Sequence, residues 1–338
     1  MKKTIFTFCV MMSAMMGSYS QENNNFYDDA ETYSLSGPTI IEINGEVAAP
    51  GTVDLSLLTE RSVIVKEALL DGDSNKFIGA YRYNGYSLFD ILNSFLPAKK
   101  NAGEFPPIID LFVEIRNDQG ESVVLSWGEI YYPIHLHEII IATSVMRIVP
   151  SKTKDLWPLP EHTKLVVGHD LLTERNIASP SVIIVHSASR SFEIFKGMSP
   201  MHKATFEVCG ENGKLAEVGD TPGNFARLHY ESVFYGRGRG IHSTTPFDGA
   251  MLKDVLGEWF PRNRQNLTAG YFIVAAADGY RAVYSCSEVF NRNDQAEFLI
   301  IEDPQNQDGG AFRFFPAADF FSDRAVKSVS GIYFEKLE

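Results

Sequence analysis

A segment that occurs twice within the chain is the feature that most constrains its fold. Residues 87–97 read SLFDILNSFLP, and residues 251–261 read MLKDVLGEWFP. In both segments apolar residues recur at positions i, i+3, i+4 and i+7, which is the spacing of one face of a helix. A proline closes each segment, and its ring cannot continue the helical hydrogen-bond ladder. The sequence therefore predicts two short, equivalent amphipathic helices.

Other matching segments surround the two helices. Three further pairs keep the same order along the chain: EINGE (42–46) with EVCGE (207–211), DQGESVVLSWGEI (118–130) with ADGYRAVYSCSEV (277–289), and DLLTERNIASPSVIIV (170–185) with DFFSDRAVKSVSGIYF (319–334). Conserved order over so many blocks indicates a tandem duplication. A chain of 338 residues is also long enough for two compact units with separate cores. We expect one domain over residues 39–197 and a second over 198–338, hereafter the first and second halves.

The N-terminus is typical of an exported protein. Residues 1–20 read MKKTIFTFCVMMSAMMGSYS, with lysines ahead of an apolar run and small residues at its end. This pattern predicts a signal peptide cleaved after Ser20, and hence a periplasmic or secreted protein. Residues 21–38 are rich in Asn, Asp, Glu and Ser, and we expect a flexible leader there. No later segment approaches the ~20 apolar residues of a transmembrane helix.

Charge and cysteine content narrow the classes of function. Loss of the two lysines in residues 1–20 takes the formal charge from −13 to −15, which argues against nucleic acid as a partner. Beyond the predicted signal peptide the chain has Cys209 and Cys286. Two cysteines are too few for a disulfide framework, although they could form a single bridge in an oxidising compartment.

The repeated turn-and-helix motif resembles a known family, the oxidoreductase molybdopterin-binding domain of the sulfite-oxidase type. The matching positions are Gly85, Leu88, Asp90 and Leu92 in the first half and Gly249, Leu252, Asp254 and Leu256 in the second. A DGY turn that leads into a strand, at 278–280, adds to the resemblance. It implies an α+β fold of two tandem sulfite-oxidase-like domains, strand-rich with few short helices and related by a pseudo-two-fold axis.

The resemblance also implies a cofactor site that this chain does not complete. In that family, molybdenum is held by the pterin dithiolene and by one cysteine between the opening strand and the glycine-turn helix. The corresponding intervals, 62–85 and 227–249, contain no cysteine, and a soft thiolate is not replaced by harder ligands without a change of metal chemistry. The N-terminus also has a Lys-Lys pair where export of a folded molybdoenzyme needs paired arginines. We therefore expect no cofactor, with bound molybdopterin as the alternative.

A glycine-arginine segment is the principal candidate for ligand binding. Residues 235–242 read YGRGRGIH. Gly236 and Gly238 let the backbone approach a ligand closely, while Arg237 and Arg239 offer forked donors to an oxyanion and His242 supplies a third contact. The alternative is a mobile glycine loop with solvated arginines.

Two other segments are weaker candidates. IHLHEIII (134–141) has the pattern of a strand, and His135 and His137 on one face of it are candidate metal ligands; the alternative is a pair of solvated histidines. FRFFPAADFF (312–321) is either an aromatic binding platform or a packing surface between the halves.

These patterns favour an exported, non-catalytic binding protein for a small molecule or an exported protein partner, and they identify no catalytic residue. One alternative is a molybdopterin-dependent oxidoreductase that holds a small oxyanion with Arg237, Arg239 and His242. Another is a structural or adhesive surface protein without a small-molecule pocket.

Overall fold

A computed structural model describes residues 29, 31–72, 74–221 and 223–337. The predicted signal peptide, with its cleavage after Ser20, lies outside these residues, so export stays a prediction. Strands make up 45% of the structure and helices 11%, so strands determine the architecture. Among the described residues, no helix combines the length and the apolar character needed to cross a bilayer.

The strands of the first half, and the one strand that precedes it, range from 2 to 14 residues in length. In chain order they are β1 (Tyr33–Ser34), β2 (Ile40–Gly45), β3 (Gly51–Asp54), β4 (Glu60–Asp71), β5 (Ser74–Ser87), β6 (Leu111–Asn117), β7 (Ser122–Ser126), β8 (Ile139–Arg147), β9 (Lys164–Val167) and β10 (Pro180–Ser187). The strands of the second half are β11 (Phe206–Gly210), β12 (Gly213–Val218), β13 (Arg227–Tyr230), β14 (Phe234–Gly236), β15 (Gly240–Ser243), β16 (Phe247–Met251), β17 (Gly270–Ala276), β18 (Arg281–Ser285), β19 (Phe298–Glu302), β20 (Phe312–Pro316) and β21 (Val329–Lys336).

The helices are all short. They are α1 (Leu88–Leu92), α2 (Trp127–Tyr131), α3 (Leu252–Leu256), α4 (Arg264–Ala269) and α5 (Cys286–Phe290). Helices α1 and α3 lie inside the repeated segments, as their apolar spacing predicts. Ser87 caps α1 by accepting a hydrogen bond from the amide of Asp90 at 3.1 Å.

Two five-stranded sheets have the same strand order. The first half contributes β3-β2-β10-β6-β7 and the second half β12-β11-β21-β17-β18. In each sheet the last strand of the half pairs in parallel with the opening strand, at Val182 with Glu42 and at Gly331 with Glu207. Both sheets therefore place the beginning and the end of their half side by side.

The other two large sheets also have equivalent orders. One is β1-β8-β5-β4, with β9 paired to β8, and the other is β13-β16-β19-β20. Strands β14 and β15 form a separate two-stranded ribbon. The four large sheets are arranged in a ring that resembles a four-bladed β-propeller.

The predicted α+β fold of two sulfite-oxidase-like domains is therefore wrong. The strand-rich character was expected, but each helix has only five or six residues, so helices form no layer of their own. The described residues of the two halves share one large hydrophobic core, and the two domains with their boundaries stay a prediction. The largest hydrophobic cluster of the described residues runs through both halves and contains, for example, Ile43, Leu125, Phe272 and Ile332.

The described end of the expected flexible leader is bound to a sheet. Strand β1 pairs with β8, and Leu35 is buried in a hydrophobic cluster with side chains of that sheet. Arg147 forms an ion pair with Asp29 at 2.7 Å and lies over the ring of Tyr33. These contacts order residues that composition alone assigns to a leader.

Two buried arginines join the halves at the start of α2 and α5. Arg175 makes two hydrogen bonds of 3.0 Å to Glu129 and reaches Ser285 of the second half at 3.1 Å. Its counterpart Arg324 contacts Glu288 at 2.5 Å and Ser126 of the first half at 3.1 Å. Each arginine thus ties a carboxylate of its own half to the helix cap of the other half.

Both arginines have a second carboxylate partner and no exposure to water. Asp170 accepts from Arg175 at 2.7 Å, and Asp319 accepts from Arg324 at 2.6 Å. Burial alone would raise the pKa of Glu129, yet Arg175 and His169 hold that pKa well below its usual range. The carboxylate of Glu129 is therefore a charged partner of Arg175 at neutral pH.

Replacement of a buried arginine should be strongly destabilising. We expect Arg324→Gln to lower the free energy of unfolding by about 3–5 kcal/mol, because it leaves the carboxylates of Glu288 and Asp319 buried without a counter-charge. The exposed Arg239→Gln, which removes the same charge, should change it by less than about 0.5 kcal/mol. Urea denaturation followed by circular dichroism measures both. A loss below about 1 kcal/mol for Arg324→Gln would show that the cluster does not hold the halves together.

Candidate functional site

The glycine-arginine segment is a hairpin in the second half. Strands β14 and β15 pair around a turn that contains Arg237, Gly238 and Arg239. The guanidinium of Arg237 lies 3.6 Å from the carboxylate of Asp323 and over the ring of Tyr132. The charge of Arg237 is thus matched by a carboxylate, and Arg239 points from an exposed turn. The binding of one oxyanion by Arg237, Arg239 and His242 together stays a prediction.

His242 lies on strand β15 of the hairpin and borders a cavity. Its imidazole packs directly against Gly236, where a Cβ would collide with the ring nitrogen Nε2. Its ring centre is 5.7 Å from that of Phe234. Gly236 is therefore required for close packing of the hairpin, whereas the space around Gly238 is open.

The cavity has a volume of about 650 Å³, within the ~300–1,000 Å³ of typical small-molecule sites. Its walls come from the β14–β15 hairpin, β16, the turn after β17, β20 and the segment 322–327. Phe234, Pro246 and Phe247 form an apolar wall. Phe247 is held in place by stacking on Phe315, with ring centres 4.2 Å apart.

Two positively charged side chains also line the cavity. Arg313 projects from β20, and Lys327 lies on the segment that follows Arg324. The Nε of Arg313 is buried and has no hydrogen-bond partner among the described residues. Asp278 is the acidic residue of the described lining, so the two cations outnumber it. The cavity therefore combines an aromatic wall with an unsatisfied cationic donor.

Tyr280 gives the cavity a neutral polar side. Its hydroxyl donates a hydrogen bond to the backbone carbonyl of Asp323 at the base of the hairpin. Burial raises the pKa of Tyr280 above its usual range, and the nearby carboxylate of Asp323 raises it further. The phenol therefore stays protonated at neutral pH and does not add negative charge to the cavity.

The predicted histidine strand is wrong for residues 134–138. These residues form turns, and β8 begins only at Ile139. His137 has a φ of 70°, so period-two alternation does not apply to it. Its Nδ1 lies 3.0 Å from the hydroxyl of Ser87, while His135 is exposed in the turn. Within the described ranges, no group of three or more His, Cys, Asp or Glu side chains is arranged to hold a metal.

The two described cysteines do not match the thiolate that the family resemblance implies. Both thiols are free, so Cys209 and Cys286 form no disulfide. Cys209 pairs with Lys214 and Tyr333 inside a sheet, and Cys286 begins α5. Burial raises the pKa of Cys286 to about 12, which leaves the thiol protonated. Neither lines the cavity, so the residues do not fit molybdenum coordinated in the family manner.

The aromatic segment 312–321 has two roles. Phe312 and Phe314 are buried in the core, while Phe321 lies against Tyr132 of the first half with ring centres 6.2 Å apart. The amide of Phe320 also donates to the carbonyl of Tyr132 at 2.7 Å. The end of this segment thus packs between the halves, as one of the two interpretations held.

No protein-family model and no curated protein matches this sequence. The resemblance to the molybdopterin-binding family therefore stays a prediction from motifs, and the cavity must be interpreted from its own residues.

Sequence patterns did not identify Arg313 or Lys327 as candidate site residues. The available signal was Arg313 itself, a single cation in the otherwise apolar strand FRFFP. A cation at such a position needs either a buried partner or a ligand.

The state of the cysteines can be tested directly. We expect iodoacetamide at pH 8 to alkylate Cys286 at least about 100-fold more slowly in the folded protein than in 6 M guanidinium chloride, because both burial and the raised pKa suppress the thiolate. Mass spectrometry of the labelled peptide measures the rate. Equal rates in the two conditions would mean that α5 does not shield this thiol.

Proposed function

We propose that the chain is a non-catalytic binding protein whose ligand is a small anion with an apolar body, held in the cavity of the second half. The observation that carries this proposal is Arg313, a partly buried cation that lines a cavity of about 650 Å³ and whose Nε has no hydrogen-bond partner among the described residues. A buried donor without an acceptor costs free energy, and an anion would remove that cost.

The surroundings of Arg313 support an anion rather than a neutral ligand. Lys327 adds a second positive charge at the same cavity, in a protein whose net charge is −13. In a protein of negative net charge, the positive charges of Arg313 and Lys327 attract anions to this cavity. Phe234 and Phe247 offer apolar contact to the rest of the ligand.

The oxidoreductase alternative has less support from the residues. It assigns the oxyanion to Arg237, Arg239 and His242, but Arg237 pairs with Asp323 and only His242 reaches the cavity. It binds molybdopterin without a protein thiolate, and the two described thiols lie in other elements.

An aromatic anion that fluoresces when bound tests this function. We expect 8-anilinonaphthalene-1-sulfonate to bind at one site per chain, and Arg313→Gln to weaken its binding at least tenfold, because a hydrogen bond to a charged group contributes about 1.5–3 kcal/mol. Fluorescence titration of the full chain measures the dissociation constant.

A matched variant separates this site from general charge. Arg239→Gln removes one positive charge from the exposed turn, and it should change the dissociation constant by less than about twofold. Equal binding by the wild-type protein and Arg313→Gln, with circular dichroism showing both folded, would refute the proposed function.

A further inference from the structure

The strand registers make Arg313 the structural equivalent of Lys164. In the first half, strands β5, β8 and β9 lie side by side, and α1 directly follows β5. When the strand pairings are followed from the start of α1 across the sheet, Lys164 is the residue of β9 that pairs with Ala142. In the second half, strands β16, β19 and β20 lie side by side in the same way, and α3 directly follows β16. The same count from the start of α3 reaches Arg313, which pairs with Ile301. The two cations therefore occupy the same position in equivalent sheets.

In the first half this cation is satisfied by a carboxylate of the protein itself. Lys164 donates to the two carboxylate oxygens of Glu67 at 2.7 and 2.8 Å. The hydroxyl of Tyr83 donates to the same carboxylate at 3.0 Å, and the side-chain amide of Asn176 reaches it at 3.4 Å. Glu67 is buried, so these three donors replace its water.

The equivalents of all three donors line the cavity of the second half. Tyr83 and Phe247 each lie five residues before their helix, α1 or α3, and Asn176 and Ala325 each follow the buried arginine of their half. The equivalent pairs are Lys164 with Arg313, Tyr83 with Phe247, and Asn176 with Ala325. The cavity thus surrounds the place where a Glu67 carboxylate would lie.

By count along the chain the residue that corresponds to Glu67 is Phe234, which lies four residues after Tyr230 as Glu67 lies four residues after Val63, and it carries no carboxylate. Strand β4 continues to Asp71 and carries Glu67 into the sheet, whereas its equivalent β13 ends at Tyr230. The chain then forms the β14–β15 hairpin, which bounds the cavity. Phe234 therefore lines the cavity where the first half has the carboxylate of Glu67, and Arg313 keeps no carboxylate partner among the described residues.

We infer that the ligand is a carboxylate with an apolar body, and that its carboxylate takes the position that Glu67 fills in the first half. This inference rests on the proposed function and names the class of its ligand. The planar guanidinium of Arg313 offers two parallel donors to a carboxylate, and Lys327, which stands where the first half has Ala178, adds charge.

The same comparison disfavours inorganic phosphate. Tyr83 and Asn176, two of the three donors to Glu67, are replaced by Phe247 and Ala325, which donate nothing from their side chains. A phosphate dianion needs donors around all its oxygens, whereas a carboxylate presents only two oxygens and leaves one side of the molecule apolar. The apolar wall at Phe234 and Phe247 matches that side.

Displacement of bound 8-anilinonaphthalene-1-sulfonate from the full chain tests the inference. The competitors are benzoate, its neutral analogue benzamide, benzenesulfonate and inorganic phosphate. We expect benzoate to displace the probe at concentrations at least tenfold lower than benzamide, benzenesulfonate or phosphate. In Lys327→Gln, an exposed substitution that should not affect folding, the concentration of benzoate required should rise at least threefold. In Arg239→Gln it should not change.

The outcomes separate the two proposals. Displacement by benzenesulfonate or phosphate but not by benzoate would overturn the carboxylate inference and leave the proposed anion site intact. Equal displacement by benzoate and benzamide would also overturn it, because the charge would then be irrelevant. Probe binding that is independent of Arg313 would instead overturn the proposed function itself.

Discussion

The buried ion clusters of Arg175 and Arg324 are the contacts on which the structure depends. Each guanidinium is enclosed by two carboxylates of its own half and by a serine that caps a helix of the other half. Because an unpaired charge is so costly in the interior, each arginine needs both carboxylates of its own half, and a further hydrogen bond goes to the serine of the other half. The polar clusters therefore link the halves at α2 and α5, beside the hydrophobic core that the halves share.

The free-energy cost of a buried charge without a partner also explains the candidate site. Lys164 and Arg313 hold equivalent positions, but among the described residues Lys164 has a carboxylate partner and Arg313 has none. In the first half the ion pair with Glu67 is a structural contact. In the second half strand β13 is shorter and supplies no such carboxylate. The β14–β15 hairpin that follows it forms one wall of the cavity. One arrangement of strands thus gives a filled position in one half and a candidate binding site in the other.

Sequence patterns predicted the local elements much better than the architecture. The helical spacing placed α1 and α3 correctly, because apolar periodicity and the Ser87 cap are local properties. The fold class was wrong because the ring of sheets depends on pairings between distant strands, such as β10 with β2. Among the candidate site residues, His242 was located at the cavity, but Arg313 was missed. Its importance depends on the absence of a partner, which becomes visible only when its register is compared with that of Lys164.

A crystal structure of the complex with benzoate would test the central claim most directly. We predict that the benzoate carboxylate lies within about 3 Å of the Arg313 guanidinium, with its ring against Phe234 and Phe247. Benzoate bound elsewhere, or an Arg313 side chain turned to an acceptor of the protein with the cavity closed, would contradict the assignment of this cavity as the ligand site.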